Sequence, residues 1–146
     1  MIGCFDTSAL VPLAVAEPTS LRCAQLWTAC DVRVASILVV AEGHAALAQA
    51  MRLKRLTPGE HTAAARLFDD RIDEMDLVVP DRHIVDTAAR LALQHGLRGY
   101  DAVHAATALC LEADGVVAVT GDHDLEAAFV AMGLATADLS ASPRNT

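Results

Sequence analysis

The sequence predicts an α/β domain with a central parallel β-sheet of about four to five strands and helices on both faces. Short apolar segments, which are typical of strands, alternate along the chain with longer segments that have helical periodicity. Two of the short segments, residues 2–5 and 116–119, contain only apolar residues and glycine, as expected of strands covered on both sides. Such alternation is typical of parallel sheets whose strands are joined by right-handed crossover connections.

The first half of the chain contains two candidate strands and two candidate helices. The strand at 2–5 is followed by a segment at 19–29 with a helical apolar pattern, and residues 32–35 form a second candidate strand. Ser36 offers the side-chain oxygen of a helix N-cap, which predicts a long helix from this point to about residue 53.

Helix start and stop signals are stronger in the second half. Thr57-Pro58-Gly59-Glu60 is a capping box with proline at the first helical position, which predicts a helix to about residue 74. Asp81 can cap a helix over 82–95, and Gly96 can end it. The remaining predicted elements are a strand at 77–79, a buried helix at 102–111, the strand at 116–119, a helix at 125–131 and a last edge strand at 134–136.

Length and composition fit one domain. Of the 146 residues, we expect 1–139 to form that domain and 140–146 to be a frayed tail. No apolar stretch approaches the roughly 20 residues of a membrane span, and the N-terminus lacks a signal-peptide pattern. We therefore expect a cytoplasmic protein with no membrane partner. The four cysteines lack a Cys-x-x-Cys spacing, which favours buried thiols over a zinc site.

The charge balance is acidic. The net charge of −8 argues against general nucleic-acid binding, because phosphate contacts come from Lys and Arg. Arg52, Lys54 and Arg55 form the basic cluster of the chain. This cluster is typical of a solvated helix end, and contact with an RNA backbone is the alternative interpretation.

Four acidic residues stand at positions that favour a shared site. Asp6 directly follows the first strand and Asp122 follows the strand at 116–119, so both lie at one rim of the sheet if these strands are neighbours. Glu42 lies within an apolar helical segment and Asp101 precedes another. A carboxylate in such surroundings is costly unless it is paired or bound to a metal.

These carboxylates need a counter-charge if they converge. Lys and Arg are absent from the sequence near Asp6, Glu42 and Asp122, and Arg98 is the only one near Asp101. A hard divalent cation, Mg²⁺ or Mn²⁺, therefore fits best, and such a site suits hydrolysis of phosphodiester bonds. Ordinary interpretations stand beside this one, since each aspartate can cap a turn or a helix and Glu42 can face solvent.

Four segments resemble the motifs of PIN-domain nucleases, and more closely those of the VapC toxins of bacterial toxin–antitoxin pairs. The third is the most specific match, with Gly-Tyr-Asp-Ala-Val-His-Ala-Ala at its centre. The segments are 5–10, 41–47, 97–106 and 119–125. They occur in the order of the family motifs and together span most of the chain.

The resemblance implies a single PIN-like domain and a divalent-metal-dependent endoribonuclease that acts on RNA, is inhibited by a cognate antitoxin protein and tends to form homodimers. The acidic site carried over by position is Asp6, Glu42, Asp101 and Asp122, with Asp124 as a candidate extra or substitute ligand. The polar supports carried over are Thr7 or Ser8, and Thr120. The chain departs from its relatives between residues 50 and 55, where they often carry a glycine before the next helix.

Two other functions are open on the sequence. A phosphatase of the haloacid-dehalogenase type also has an Asp after its first strand, but it needs a second Asp where this chain has Ser8. It also needs a late Lys, and the only Lys is Lys54. A catalytically inactive PIN-like protein-binding module would not need all four acids.

Three histidines are not assigned to a metal: we expect His104 in the core, His44 on a different helix face from Glu42, and His123 at the surface.

Overall fold

The computed structural model of the protein describes residues 1–111 and 115–140. Most of the predicted tail, residues 141–146, lies outside the described residues. The elements in chain order are β1 (Ile2–Phe5), α1 (Thr7–Leu10), a 3-10 turn (Val11–Leu13), α2 (Ser20–Ala29), β2 (Val32–Ser36), α3 (Leu38–Arg52), α4 (Pro58–Asp73), β3 (Asp76–Val78), α5 (Arg82–His95), α6 (Gly99–Leu109), β4 (Val116–Val119), α7 (His123–Ala131) and β5 (Ala135–Ala137).

The five strands form one parallel sheet in the order β3-β2-β1-β4-β5. β1 is therefore the central strand, with β2 on one side and β4 on the other. The predicted neighbours β1 and β4 are in register, with Phe5 opposite Val119. The residues that follow these two strands consequently emerge side by side at one edge of the sheet, as the sequence predicts.

Helices cover both faces of the sheet. Successive strand residues point to opposite faces, so each strand contributes side chains to both helix layers. Phe5 and Val119 pack with buried side chains of α2, α3 and α4 on one face. Cys4 and Ala118 pack with buried side chains of α5, α6 and α7 on the other. The predicted three-layer α/β arrangement is confirmed. In the part of the chain that the structure describes, no helix is long and apolar enough to cross a membrane.

The strongest cap signals of the sequence are confirmed. Thr57 and Glu60 make the reciprocal capping box at the start of α4. Asp81 accepts a hydrogen bond from the Ile84 N–H at the start of α5, and Gly96 ends that helix with a left-handed φ of 66°.

Other element boundaries differ from the prediction. Ser36 is the last residue of β2 rather than the N-cap of α3, which begins at Leu38; its hydroxyl still accepts a long 3.4 Å bond from the Leu38 N–H. α6 begins at Gly99 rather than at residue 102. The four-residue helix α1 was not predicted, because it is too short to display a periodicity.

Candidate functional site

Asp6 forms the floor of the site. It follows β1, its side chain is buried, and it caps α1 by accepting a hydrogen bond of 3.1 Å from the Ala9 N–H. Ser8 donates to Oδ1 at 2.7 Å and Thr120 donates to Oδ2 at 2.8 Å. Burial raises the pKa of Asp6, and the hydrogen bonds from Ser8 and Thr120 oppose that increase by favouring the charged form.

Hydroxyl groups tie the end of β1 to the end of β4. The Gly121 N–H donates to the Ser8 hydroxyl at 2.7 Å, and the Asp122 N–H donates to the Thr120 hydroxyl at 3.0 Å. The hydroxyl oxygens of Ser8 and Thr120 lie 3.3 Å apart, within hydrogen-bonding distance. These contacts fix the loop after β4 against Asp6, which brings the first and last predicted motifs together.

Glu42 reaches the same place from α3. Its Oε2 accepts a hydrogen bond of 3.1 Å from the Thr7 hydroxyl and lies 2.6 Å from His104 Nε2 on α6. Burial raises the pKa of Glu42, but the hydrogen bond and charge of His104 and the hydrogen bond from Thr7 outweigh it, so the pKa is lowered. His104 is the buried, hydrogen-bonded histidine that the sequence predicts, and its Nδ1 has no partner among the described residues.

Arg98 joins the two remaining acids. Its Nε lies 2.8 Å from Asp101 Oδ2, and its Nη2 lies 3.4 Å from Asp122 Oδ2. No Arg or Lys is close to Asp122 in the sequence, but the fold brings Arg98, the N-cap of α6, to its side chain. The inference that Asp122 lacks a counter-charge from the protein was therefore wrong. Asp101 lies in the first turn of α6 rather than at its N-cap, which is Arg98.

Asp122 combines the two roles that the sequence left as alternatives. Its Oδ1 caps α7 by accepting hydrogen bonds from the Asp124 and Leu125 N–H groups, at 2.9 and 3.0 Å. Its Oδ2 faces Arg98 instead. Asp124 itself is exposed and does not line the cavity described next.

The structure brings Asp6, Glu42, Asp101 and Asp122 to one cavity of about 330 Å³. Thr7 and Ser8 line it as predicted, and Thr120 supports Asp6 from behind. Sequence reasoning missed Glu17, an exposed loop residue that also lines this cavity and that no local pattern identifies. His44 lies elsewhere, 2.8 Å from Asp69, and His123 is exposed, as expected.

The carboxylate oxygens of this cavity suit a hard divalent cation. Within residues 1–111 and 115–140, however, no three Asp, Glu, His or Cys side chains are placed closely enough to hold one together. Each carboxylate is instead turned towards a protein donor: hydroxyl groups for Asp6, Thr7 and His104 for Glu42, and Arg98 for the other two. Arg98 would therefore compete with a shared cation for the Oδ2 atoms of Asp101 and Asp122.

Comparisons with known proteins agree on the family. The model of the PIN domain family matches residues 3–129. The chain is 36% identical over 139 residues to ribonuclease VapC45 from Mycobacterium tuberculosis (strain CDC 1551 / Oshkosh), covering 95% of this chain and 96% of that protein. Ribonuclease VapC49 from Mycobacterium tuberculosis (strain ATCC 25618 / H37Rv) matches with the same identity and coverage.

Solved structures share the fold. PAE2754 from Pyrobaculum aerophilum superposes with a TM-score of 0.67 at 26% identity, over 88% of this chain and 84% of that chain. A toxin–antitoxin complex from Klebsiella pneumoniae gives a TM-score of 0.67 at 15% identity, over 96% and 99% of the two chains.

Proposed function

This chain belongs to the PIN-domain family, and on that premise we propose that it is an endoribonuclease that hydrolyses RNA with Mg²⁺ or Mn²⁺. The observation that carries the proposal is that four acids from separate parts of the sequence line one cavity: Asp6, Glu42, Asp101 and Asp122. These are the residues that would hold the cation. A divalent cation supplies activation of a water molecule and neutralises charge that develops on the phosphate.

The residues around the acids have distinct tasks in this proposal. Ser8 and Thr120 hold both oxygens of Asp6 in one orientation. Thr7 and His104 both contact Oε2 of Glu42, so the two innermost carboxylates are positioned before substrate arrives. Arg98 pairs with Asp101 and Asp122, and it would compete with a cation for their Oδ2 atoms.

The experiment that tests the proposal removes one ligand charge at a time. We expect Asp6→Asn and Asp101→Asn to abolish RNA cleavage in Mg²⁺ or Mn²⁺, because each replaces a carboxylate with a neutral amide of the same shape. Asp70→Asn is the matched control, since Asp70 is exposed on α4. Circular dichroism verifies folding of each variant. Normal cleavage by either of the first two variants contradicts the proposed site.

A further variant tests the choice of the fourth ligand. Asp124→Asn should cleave RNA at nearly the rate of the unmodified protein, because Asp124 is exposed and outside the lining of the cavity. A loss of cleavage as large as that of Asp101→Asn would instead assign Asp124 to the cation.

We further propose that the protein is the toxin of a toxin–antitoxin pair, acts in the cytoplasm, forms a homodimer and is inhibited by a cognate antitoxin protein. The support is its 36% identity to two proteins named ribonuclease VapC. The test is co-expression with the product of a short neighbouring reading frame, followed by size-exclusion chromatography and an RNA cleavage assay. A stable complex without cleavage activity is the expected result, and separate elution with full activity contradicts it.

One observation favours a second candidate, a PIN-like module that binds a protein partner without catalysis. Each of the four site carboxylates faces a protein donor, and no three described Asp, Glu, His or Cys side chains are placed closely enough to hold a cation. Calorimetric titration with Mn²⁺ separates the two candidates. Binding that is lost in Asp6→Asn supports the nuclease, whereas no binding to the unmodified protein supports the module.

A further inference from the structure

Tyr100 differs from the other aromatic residues of this protein because its side chain is exposed to solvent. The chain has five aromatic residues, and four of them are in the core with exposures of 6% or less: Phe5, Trp27, Phe68 and Phe129. Tyr100 is 63% exposed. Within the described residues its ring stacks on no other ring and its hydroxyl has no hydrogen-bond partner. The hydrophobic core therefore gives no reason for an aromatic residue at this position.

The ring stands beside the acidic cavity. Tyr100 lines a second cavity of about 350 Å³ together with Glu42, Arg98, Gly99 and Asp101. Three of these residues, Glu42, Arg98 and Asp101, also line the acidic cavity, so the two spaces adjoin. A volume of this size lies in the range of small-ligand sites and can hold a nucleobase with its ribose.

Arg98 supplies the charge that a nucleotide needs at this place. Its side chain is 81% exposed and its guanidinium is held by Asp101 Oδ2 and Asp122 Oδ2. A divalent cation that bound those two oxygens would release the guanidinium. The planar fork of donors on the guanidinium matches two oxygens of a phosphate.

We propose that Tyr100 and Arg98 form a subsite for one unpaired nucleotide of the RNA substrate, with its base stacked on the Tyr100 ring and its phosphate bound by Arg98. This inference rests on the proposed ribonuclease function and adds a requirement to it. A base can stack on a side chain only after it leaves its own helix, so the RNA must be single-stranded at the subsite.

Equilibrium binding tests the stacking half of the proposal. A short labelled single-stranded RNA is titrated with protein in Ca²⁺, a hard cation with the same preference for oxygen ligands, and the RNA is checked for integrity afterwards. We expect Tyr100→Ala to weaken binding about tenfold, in line with the contribution of one stacked base. Tyr100→Phe should bind like the unmodified protein, and Tyr100→Leu should bind like the alanine variant despite its apolar side chain.

The controls separate stacking from a general loss of surface. Leu93→Ala removes a large apolar side chain that is 90% exposed on α5, and it should leave RNA binding unchanged. The same RNA sequence as a duplex should bind the unmodified protein about tenfold more weakly than the single strand. Equal binding of duplex and single strand, or full binding by Tyr100→Ala, overturns the subsite and leaves Tyr100 as a contact for a protein partner.

Substitution of Arg98 should change the affinity for the cation and the affinity for RNA in opposite directions. Arg98→Ala should bind Ca²⁺ or Mn²⁺ more tightly by calorimetry, because the competitor for Asp101 and Asp122 is gone, yet bind single-stranded RNA more weakly. Arg82→Ala is the control, since Arg82 is an exposed arginine paired with Asp86 away from the cavity. It should change neither quantity. An Arg98→Ala variant with unchanged RNA affinity overturns this half of the proposal.

Failure of this inference is distinguishable from failure of the proposed function. If the unmodified protein cleaves RNA in Mg²⁺ but Tyr100→Ala binds RNA normally, only the subsite is wrong. If the unmodified protein neither cleaves nor binds RNA, the nuclease proposal fails and the subsite fails with it.

Discussion

Single residues at this site serve the local backbone and the cavity together. Asp6 caps α1, and Asp122 caps α7 with Oδ1 while its Oδ2 faces Arg98. Helix capping and membership of an acidic site are therefore compatible roles for one carboxyl group. The sequence offered them as alternatives, because an Asp before a helix looks the same in both cases.

Lys54 carries a local strain that a substitution can relieve. It has a left-handed φ of 59°, a backbone conformation that residues other than glycine rarely adopt. We expect Lys54→Gly to raise the free energy of unfolding by about 0.5–1 kcal/mol, because a side chain is disfavoured in that region and glycine is not. Urea denaturation measures it. Lys54→Ala removes the charge but keeps the strain, so a gain in that variant would contradict the explanation.

Contacts between distant residues set the limit of sequence reasoning at this scale. The four acids could be found because each stands at a strand end or at an unusual place in an apolar segment. Arg98 lies 24 residues from Asp122, and only the packing of α6 against α7 makes them neighbours. No local sequence pattern indicates that Arg98 and Asp122 are close in space. The sequence therefore wrongly predicted that Asp122 has no counter-charge from the protein.

At the scale of elements, the placement of Glu42 depends on close packing between α3 and α4. Gly43 is buried on α3, and a methyl group added there would overlap the ring of Phe68 on α4. The two helices can approach closely because this position has no side chain. The residue that follows Glu42 therefore helps to determine how deeply α3 sits over the site.

Substitution of Gly43 tests this packing. Gly43→Ala should lower the free energy of unfolding by about 1–3 kcal/mol through overpacking against Phe68. Chemical denaturation followed by circular dichroism measures the change. Gly59→Ala on α4 is the matched control, because a methyl group there meets no atom within 4 Å. Equal stability of Gly43→Ala and the unmodified protein would show that the helices can separate without cost.

Elements with explicit start and stop signals could be predicted almost to the residue. α4 and α5 are examples, since the Thr57 capping box and the Asp81 and Gly96 caps act through hydrogen bonds and backbone angles that are local. The start of α6 was placed three residues late, because Gly99 and Tyr100 are poor helix formers. Tertiary contacts of α6 with α5 and the sheet override that preference.

At the scale of the whole molecule, the acidic cavity concentrates like charges in a protein that is already acidic. Its net charge is −8. Four carboxylates meet at one edge of the sheet. Among the described residues, Arg98 is the positively charged side chain that pairs with two of them, Asp101 and Asp122. A bound divalent cation should therefore stabilise the folded state, which has the cavity, over the unfolded chain, which does not.

This coupling can be measured as a change in melting temperature. At about 100 times its dissociation constant, Mg²⁺ or Mn²⁺ should add about 2.7 kcal/mol of stability, which raises Tm by about 5–10 °C for a domain of this size. Differential scanning calorimetry at constant ionic strength measures the shift. Asp6→Asn should show a much smaller shift. An equal increase in both proteins would indicate a cation bound elsewhere.

The central place of β1 has a consequence for how the chain matures on the ribosome. Of the two strands that flank β1, β2 follows soon after it in the sequence, whereas β4 is translated much later. Until β4 and the residues after it leave the exit tunnel, Thr120 cannot donate its hydrogen bond to Asp6, and Asp122 cannot line the cavity. The nascent polypeptide therefore stays without a complete acidic cavity until β4 and the loop that follows it have left the ribosome.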